Sequence, residues 1–90
     1  MSNTREIEKV LKVLANKRRL EILLYLKRVR EATVSDITDK IKISFKATSK
    51  HLAQLFNAGI VEREQRSLYM WYKLSSKQSS IVKYISNSLE

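Results

Sequence analysis

The chain offers little for covalent chemistry. It has one histidine, His51, and no cysteine. No nucleophile–base–orienter set can be assembled without a second histidine or a thiol. Thiolate metal sites and disulfides are excluded with the cysteines. One glycine and no proline leave no glycine-rich phosphate loop. Asp36 and Asp39 lie three apart on one predicted helix, as solvated helix acids usually do. The sequence is therefore read as not an enzyme, with no cofactor and no metal.

What remains is a chemistry of recognition. Lys and Arg number 18 against nine Asp and Glu, a net charge of +9 on 90 residues. A compact domain this basic usually meets a polyanion. Nucleic acid leads; an anionic membrane surface is the rival, and a basic protein that is merely soluble is the plain alternative. From Lys40 to Val61 there are four basic residues and no acid. On a helix over 45–58, Phe45, Thr48, Leu52, Leu55 and Phe56 fall on one side, read as core. Lys46, Lys50, His51 and Gln54 fall on or near the other. Lysine reaches guanine acceptors or phosphates, and glutamine pairs with adenine. Ser44 and Ser49 donate to phosphate near the helix N-terminus. An ordinary solvated face is the alternative for this set. Arg63, Arg66 and Ser67 form a second candidate patch near a hairpin turn, although Glu62 and Glu64 alternate with them.

The elements that must hold these residues follow from periodicity. Asn3 or Thr4 caps a first helix whose Ile7, Val10, Leu11 and Leu14 make one apolar stripe. Asn16 caps a second helix to about Val29, apolar over more than half its circumference and so read as central. Lys17, Arg18 and Arg19 crowd its first turn, against the helix dipole; phosphate contact and solvated charge are both open readings. Ala32–Val34 is short and β-prone. Ser35 is expected to cap a third helix with Ile37 and Ile41 buried, and Ser44 a fourth from Phe45 to Ala58, stopped by Gly59. The connection of about three residues is that of a helix-turn-helix, here without the usual glycine. The period then changes to two. Ile60–Gln65 and Tyr69–Leu74 read as strands about Arg66-Ser67-Leu68, a wing. Tyr69 and Trp71 are expected on its exposed face. Ser75 or Ser76 is expected to cap a last helix bearing Ile81, Val82, Ile85 and Leu89. The fold class is thus mainly α with a small β-hairpin: one winged helix-turn-helix domain over residues 1–90, five helices plus a wing. No stretch is long and apolar enough to span a membrane. Met1-Ser2-Asn3-Thr4 begins no signal-peptide run, so a cytoplasmic, nucleoid-associated protein is expected.

Three segments resemble a known family. Leu14-Ala15-Asn16-Lys17-Arg18-Arg19-Leu20-Glu21-Ile22-Leu23 is similar to the L-A-(D/N)-x-x-R-L-x-I-L opening of ArsR/SmtB-type winged-helix repressors. Ser49 to Val61 is similar to their S-(R/K)-H-L-x-x-L-x-x-A-G-(L/I)-V, and Tyr72-Lys73-Leu74 to their Y-x-L strand end. The resemblance covers about Leu11 to Leu74. It implies a dimer built from the first and last helices on a pseudo-palindromic operator. The departures concern metal. Where metal-sensing members have E-L-C-V-C-D-L, this chain has Thr33 and Ser35 at the cysteine positions, and hydroxyls are poor ligands for thiophilic metals. The last helix, Ser76 to Glu90, lacks the Asp and His of the other site. The usual Gly-Arg of the wing tip is replaced by Ser67-Leu68, with Arg66 one position away.

The expected protein is a homodimeric, sequence-specific regulator of double-stranded DNA, a repressor without a metal effector. The dimer face is expected from Ile7, Val10, Leu11, Leu14, Ile81, Val82, Ile85 and Leu89, apolar stripes that so small a core cannot fully cover. Two rivals stand beside this reading. One is an architectural protein coating DNA with little sequence preference; the other is a winged helix used as a protein-interaction module.

Overall fold

Side-chain caps set where the helices begin. In the computed structural model, which describes residues 3–90, Asn3 Oδ1 accepts from the Glu6 amide at 3.1 Å and opens α1, Thr4–Leu14. Asn16 Oδ1 accepts from the Arg19 amide at 3.1 Å and opens α2, Lys17–Val29. Each cap satisfies a donor that the helix itself leaves orphaned. Met1 and Ser2, where the segment read for a signal peptide begins, lie outside the described residues.

α3 (Val34–Ile41) starts two residues before the sequence reading, on Thr33 rather than Ser35. Asp36 decides this. Its carboxylate accepts from the Thr33 amide, while Thr33 Oγ1 accepts from the Asp36 amide, both at 3.1 Å. That is a reciprocal capping box, and only a hydroxyl residue three positions before the acid can close it, as Thr33 is and Ser35 is not. The turn into α4 (Phe45–Asn57) runs through Lys42 at φ 63, a left-handed conformation carried without glycine. Ser44 Oγ accepts from the Ala47 amide at 3.0 Å to cap α4. Gly59, at φ 73, ends that helix in a Schellman motif. The Ile60 amide reaches back to Leu55 O and the Gly59 amide to Phe56 O, each at 2.9 Å. Leu55 and Ile60, the pair that closes the motif, are both buried.

The β structure is a three-stranded antiparallel sheet rather than a lone hairpin. β1 (Glu31–Thr33), β2 (Val61–Arg66) and β3 (Tyr69–Leu74) lie in the order β1-β3-β2. Arg66 pairs with Tyr69, so the turn is Ser67-Leu68 alone, with Ser67 at φ 55. Val61, Tyr72 and Ala32 point into the core; Glu62, Glu64, Trp71 and Lys73 share the other face.

α5 (Ser80–Ser88) is capped by Ser79, not by Ser75 or Ser76. Those two serines bind the Glu62 carboxylate instead, Ser76 through both its amide (2.9 Å) and its hydroxyl (3.0 Å). The chain therefore stays tied to β2 for one more turn before the helix begins. α2 is the hub: it packs against α1, α3, α4, α5, β1 and β3. Its Ile22, Leu23 and Leu26 are essentially inaccessible, with Ile37, Leu52 and Leu55 around them. Five helices are present among the described residues, and none is long and apolar enough to cross a membrane.

Candidate nucleic-acid interface

α4 is seated mainly by its apolar side. Thr48, Leu52 and Leu55 are fully buried, and Thr48 Oγ1 donates to Ser44 O at 2.9 Å. That contact turns the hydroxyl inward and leaves the opposite face to solvent. Ser44, Lys46, Lys50 and Gln54 are exposed there, and Ser49 is half-buried. No acid lies between Lys40 and Val61, and neither Lys46 nor Lys50 makes an ion pair among the described residues. Ser44 Oγ accepts the cap bond but keeps its own proton to donate. Phe45 departs from the sequence reading: it is 57% exposed, not core. It is the first residue of α4, at the helix end that meets solvent. An exposed aromatic beside Lys46 can meet a thymine methyl, and the apolar wheel hid this by assigning it to the core.

His51 sits at the edge of this face and is half-buried. Arg19 Nε donates to His51 Nδ1 at 3.1 Å, and Arg19 Nη1 donates to Val13 O at 3.1 Å. One arginine thus ties the end of α1, the start of α2 and α4 together. Since Nδ1 accepts, the neutral ring carries its proton on Nε2. Burial, and then the charges of Arg19 and Arg18, hold the imidazole below its ordinary value of 6.5. The unfolded chain takes up this proton at 6.5 and the folded chain only at lower pH. Stability is therefore lost as pH falls below 6.5. Thermal melts between about pH 7 and pH 5 are expected to show this decline. In His51→Asn, whose Oδ1 can accept from Arg19 without titrating, it should flatten; an unchanged decline would sink this account. Of the other first-turn cations, Arg18 pairs with Glu21 at 3.0 Å and Lys17 is exposed.

The wing's two arginines are in different situations. Arg63 lies on the α4 side of the sheet, its guanidinium 3.9 Å from the Phe56 ring centroid. Stacking on the ring leaves its N–H edge open. Arg66, expected to contact DNA near the wing turn, is engaged within the protomer. It binds Glu31 bidentately at 2.8 Å and 2.8 Å and reaches Glu64 at 2.9 Å. The Glu31 bond, then Glu64, holds Arg66 charged well above its ordinary range, and Arg66 holds Glu31 below its own. The cause is register: Glu64 and Arg66 alternate onto one face, toward which β1 brings Glu31. Trp71, 5.2 Å from the Arg66 guanidinium, is half covered, while Tyr69 is 58% exposed.

The terminal helices divide the expected dimer residues. Val10, Leu14 and Val82 are buried within the protomer, so they belong to its own core. Ile7 and Leu11 are 41% and 44% exposed, and Ile81, Ile85 and Leu89 are half-buried. A cavity of about 480 Å³ lies between α1, the end of α4 and α5, bordered by Ile7, Val10, Gly59 and Ile81.

A helix-turn-helix of α3 and α4, followed at once by a β2–β3 wing, defines the molecule as a winged helix-turn-helix protein. Residues 16–63 match the model of a family described as bacterial regulatory protein, arsR family. The chain belongs to that family. It is 35% identical over 83 residues to the transcriptional activator HlyU of Vibrio cholerae serotype O1, an alignment covering 84% of this chain and 76% of that protein. The solved HlyU structure from Vibrio cholerae has a TM-score of 0.82 at 32% identity, covering 96% of this chain and 89% of that one. The homodimeric winged helix-turn-helix DNA-binding domain Mb0332 of Mycobacterium bovis has a TM-score of 0.80 at 25% identity, covering 92% of this chain and 74% of that one. The arsenical resistance operon repressor of Bacillus subtilis is 28% identical over 74 residues, 82% of this chain and 70% of that protein.

Proposed function

We propose that the protein is a homodimeric transcriptional regulator that binds a pseudo-palindromic operator in double-stranded DNA and represses from it. The exposed, acid-free face of α4 carries this reading. Lys46, Lys50 and Gln54 enter the major groove, with Ser44, Ser49 and the His51 Nε2 proton available to phosphates. Arg63 is the wing's contact, and Arg66 acts as a brace between the wing and β1. Ser67 lies at the turn, where its amide and hydroxyl can meet the backbone. Two-fold pairing through α1 and α5 sets the two recognition helices about 34 Å apart, one turn of DNA.

Repression agrees with the name of the Bacillus subtilis relative, whereas the Vibrio cholerae relative is named an activator. The same contacts serve both, and operator position relative to the promoter decides the sign. Control proceeds without a metal. Thr33, at the first family cysteine position, already spends its hydroxyl on the α3 cap, and a hydroxyl attracts soft metals poorly. The deciding experiment is selection from random duplex DNA at about 150 mM salt, where non-specific binding is suppressed. The expected result is an enriched inverted repeat with half-sites about ten base pairs apart. Retention without a motif would replace this reading with DNA coating. No retention would leave a protein-interaction module.

A further inference from the structure

A second cluster of positive charge lies away from α4 and the wing turn. The end of α2, the base of β3 and the segment around α5 border a solvent-open cavity of about 430 Å³. Lys27, Arg30 and Lys73 border it, with Leu26 and Leu74 as its apolar part and Gln78 at its edge. These cations are only partly satisfied. Lys27 Nζ donates to Ser86 O at 2.9 Å and Leu89 O at 3.1 Å, which leaves one of its three protons. The ion contact of Lys73 is long, 3.9 Å to Glu62, whose carboxylate already serves Ser75 and Ser76. Arg30 makes no salt bridge among the described residues.

Two further observations make this more than a solvated patch. Gln78 Nε2 is buried and has no hydrogen-bond partner among the described residues. Buried donors are almost always paired, and a turn of this side chain toward the cavity that Gln78 borders would bring the orphaned donor to an acceptor there. Arg30 closes α2 at φ 78, ψ −49, a region that suits glycine and strains any residue with a Cβ. An arginine standing there offers a side chain at the expense of backbone comfort.

We propose that this cavity binds a small oxyanionic metabolite, one bearing phosphate or carboxylate groups. Arg30 provides the planar fork that such groups accept from, Lys27 and Lys73 provide flanking charge, and Gln78, once its side chain turns inward, provides a neutral donor. Leu26 and Leu74 receive the apolar part of the molecule. The site bridges α2 and α5, so an occupant would bear on the helix assigned to dimerisation. Binding itself does not depend on the DNA reading and is measured without DNA.

The test titrates pyrophosphate and citrate separately into the ¹⁵N-labelled full chain at about 150 mM KCl, which screens diffuse attraction. Saturable shifts of the Gln78 side-chain amide and of the Arg30 and Lys73 backbone amides are expected with at least one probe. Pyrophosphate alone would assign the phosphate class, citrate alone the carboxylate class, and both the shared oxyanion. Arg30→Gly removes the strained Cβ and should melt no lower than wild type. It is expected to bind at least about tenfold more weakly, having lost a bidentate charged partner. Unchanged binding in Arg30→Gly, shifts confined to Lys46 and Lys50, or no shift with either probe would each overturn the proposal.

Discussion

Replacing Lys46 and Lys50 together with alanine is expected to weaken operator binding by about 10³-fold at physiological salt. The estimate rests on counterion release. Two lysines per protomer are four per dimer. At about 0.9 of a counterion per phosphate contact, they account for about 3.6 of the slope of log K against log salt. At about 0.15 M salt, that slope difference is worth close to three decades relative to 1 M. If each protomer makes about four phosphate contacts, the wild-type slope is near −7 and the variant's near −3.5. Folding should be untouched. Both lysines are exposed and free of ion pairs among the described residues, and alanine is the better helix former. The salt dependence separates two roles. Lysines on phosphates lower affinity for every duplex and flatten the slope; lysines on base edges lower operator affinity selectively and leave the slope nearly intact. Binding within about threefold of wild type, small against the release of four counterions, would reject α4 as the recognition helix.

The helix-turn-helix was legible because its signals are local. Leu52 and Leu55 recur on one face, Ser44 stands at a cap, and the lone Gly59 stops the helix. The α3 start was misplaced because Ser35 and Thr33 are both competent caps, and Asp36 selects between them only through the reciprocal bond. The α5 start failed for a non-local reason: Glu62, thirteen and fourteen residues before Ser75 and Ser76, claims both serines. Arg66 is the same lesson at the candidate site. Its type suggests a DNA contact and says nothing of an internal ion pair, since its partner Glu31 lies 35 residues away on a strand whose pairing no local pattern announces. Phe45 failed in the opposite sense, since periodicity assigns a face but does not say whether anything packs against its end.

Ile7→Glu with Leu11→Glu is expected to turn the protein into a monomer and to remove most of its operator affinity. The two side chains are one turn apart on α1 and about two-fifths exposed, and Ile7 borders the cavity that runs toward Ile81. Full burial of such a side chain is worth about 1.5–3 kcal/mol, and a two-fold interface gains from four of them. Glutamate forfeits that gain and sets four carboxylates near the axis, beside Glu6 and Glu8 of the same helix. Val10, Val13 and Leu14 still hold α1 to the core, so the protomer should stay folded. Light scattering on a sizing column and the circular dichroism melt read the two separately. Loss of the second half-site removes its effective concentration, which costs about 10²- to 10⁴-fold in affinity without touching any DNA-contacting group. The phosphate contacts per protomer are unchanged, so the salt slope should halve. A variant that stays dimeric would move the interface away from α1. One that becomes monomeric yet keeps its operator affinity would show that a single α4 carries the recognition, and the argument for a two-fold operator would fall with it.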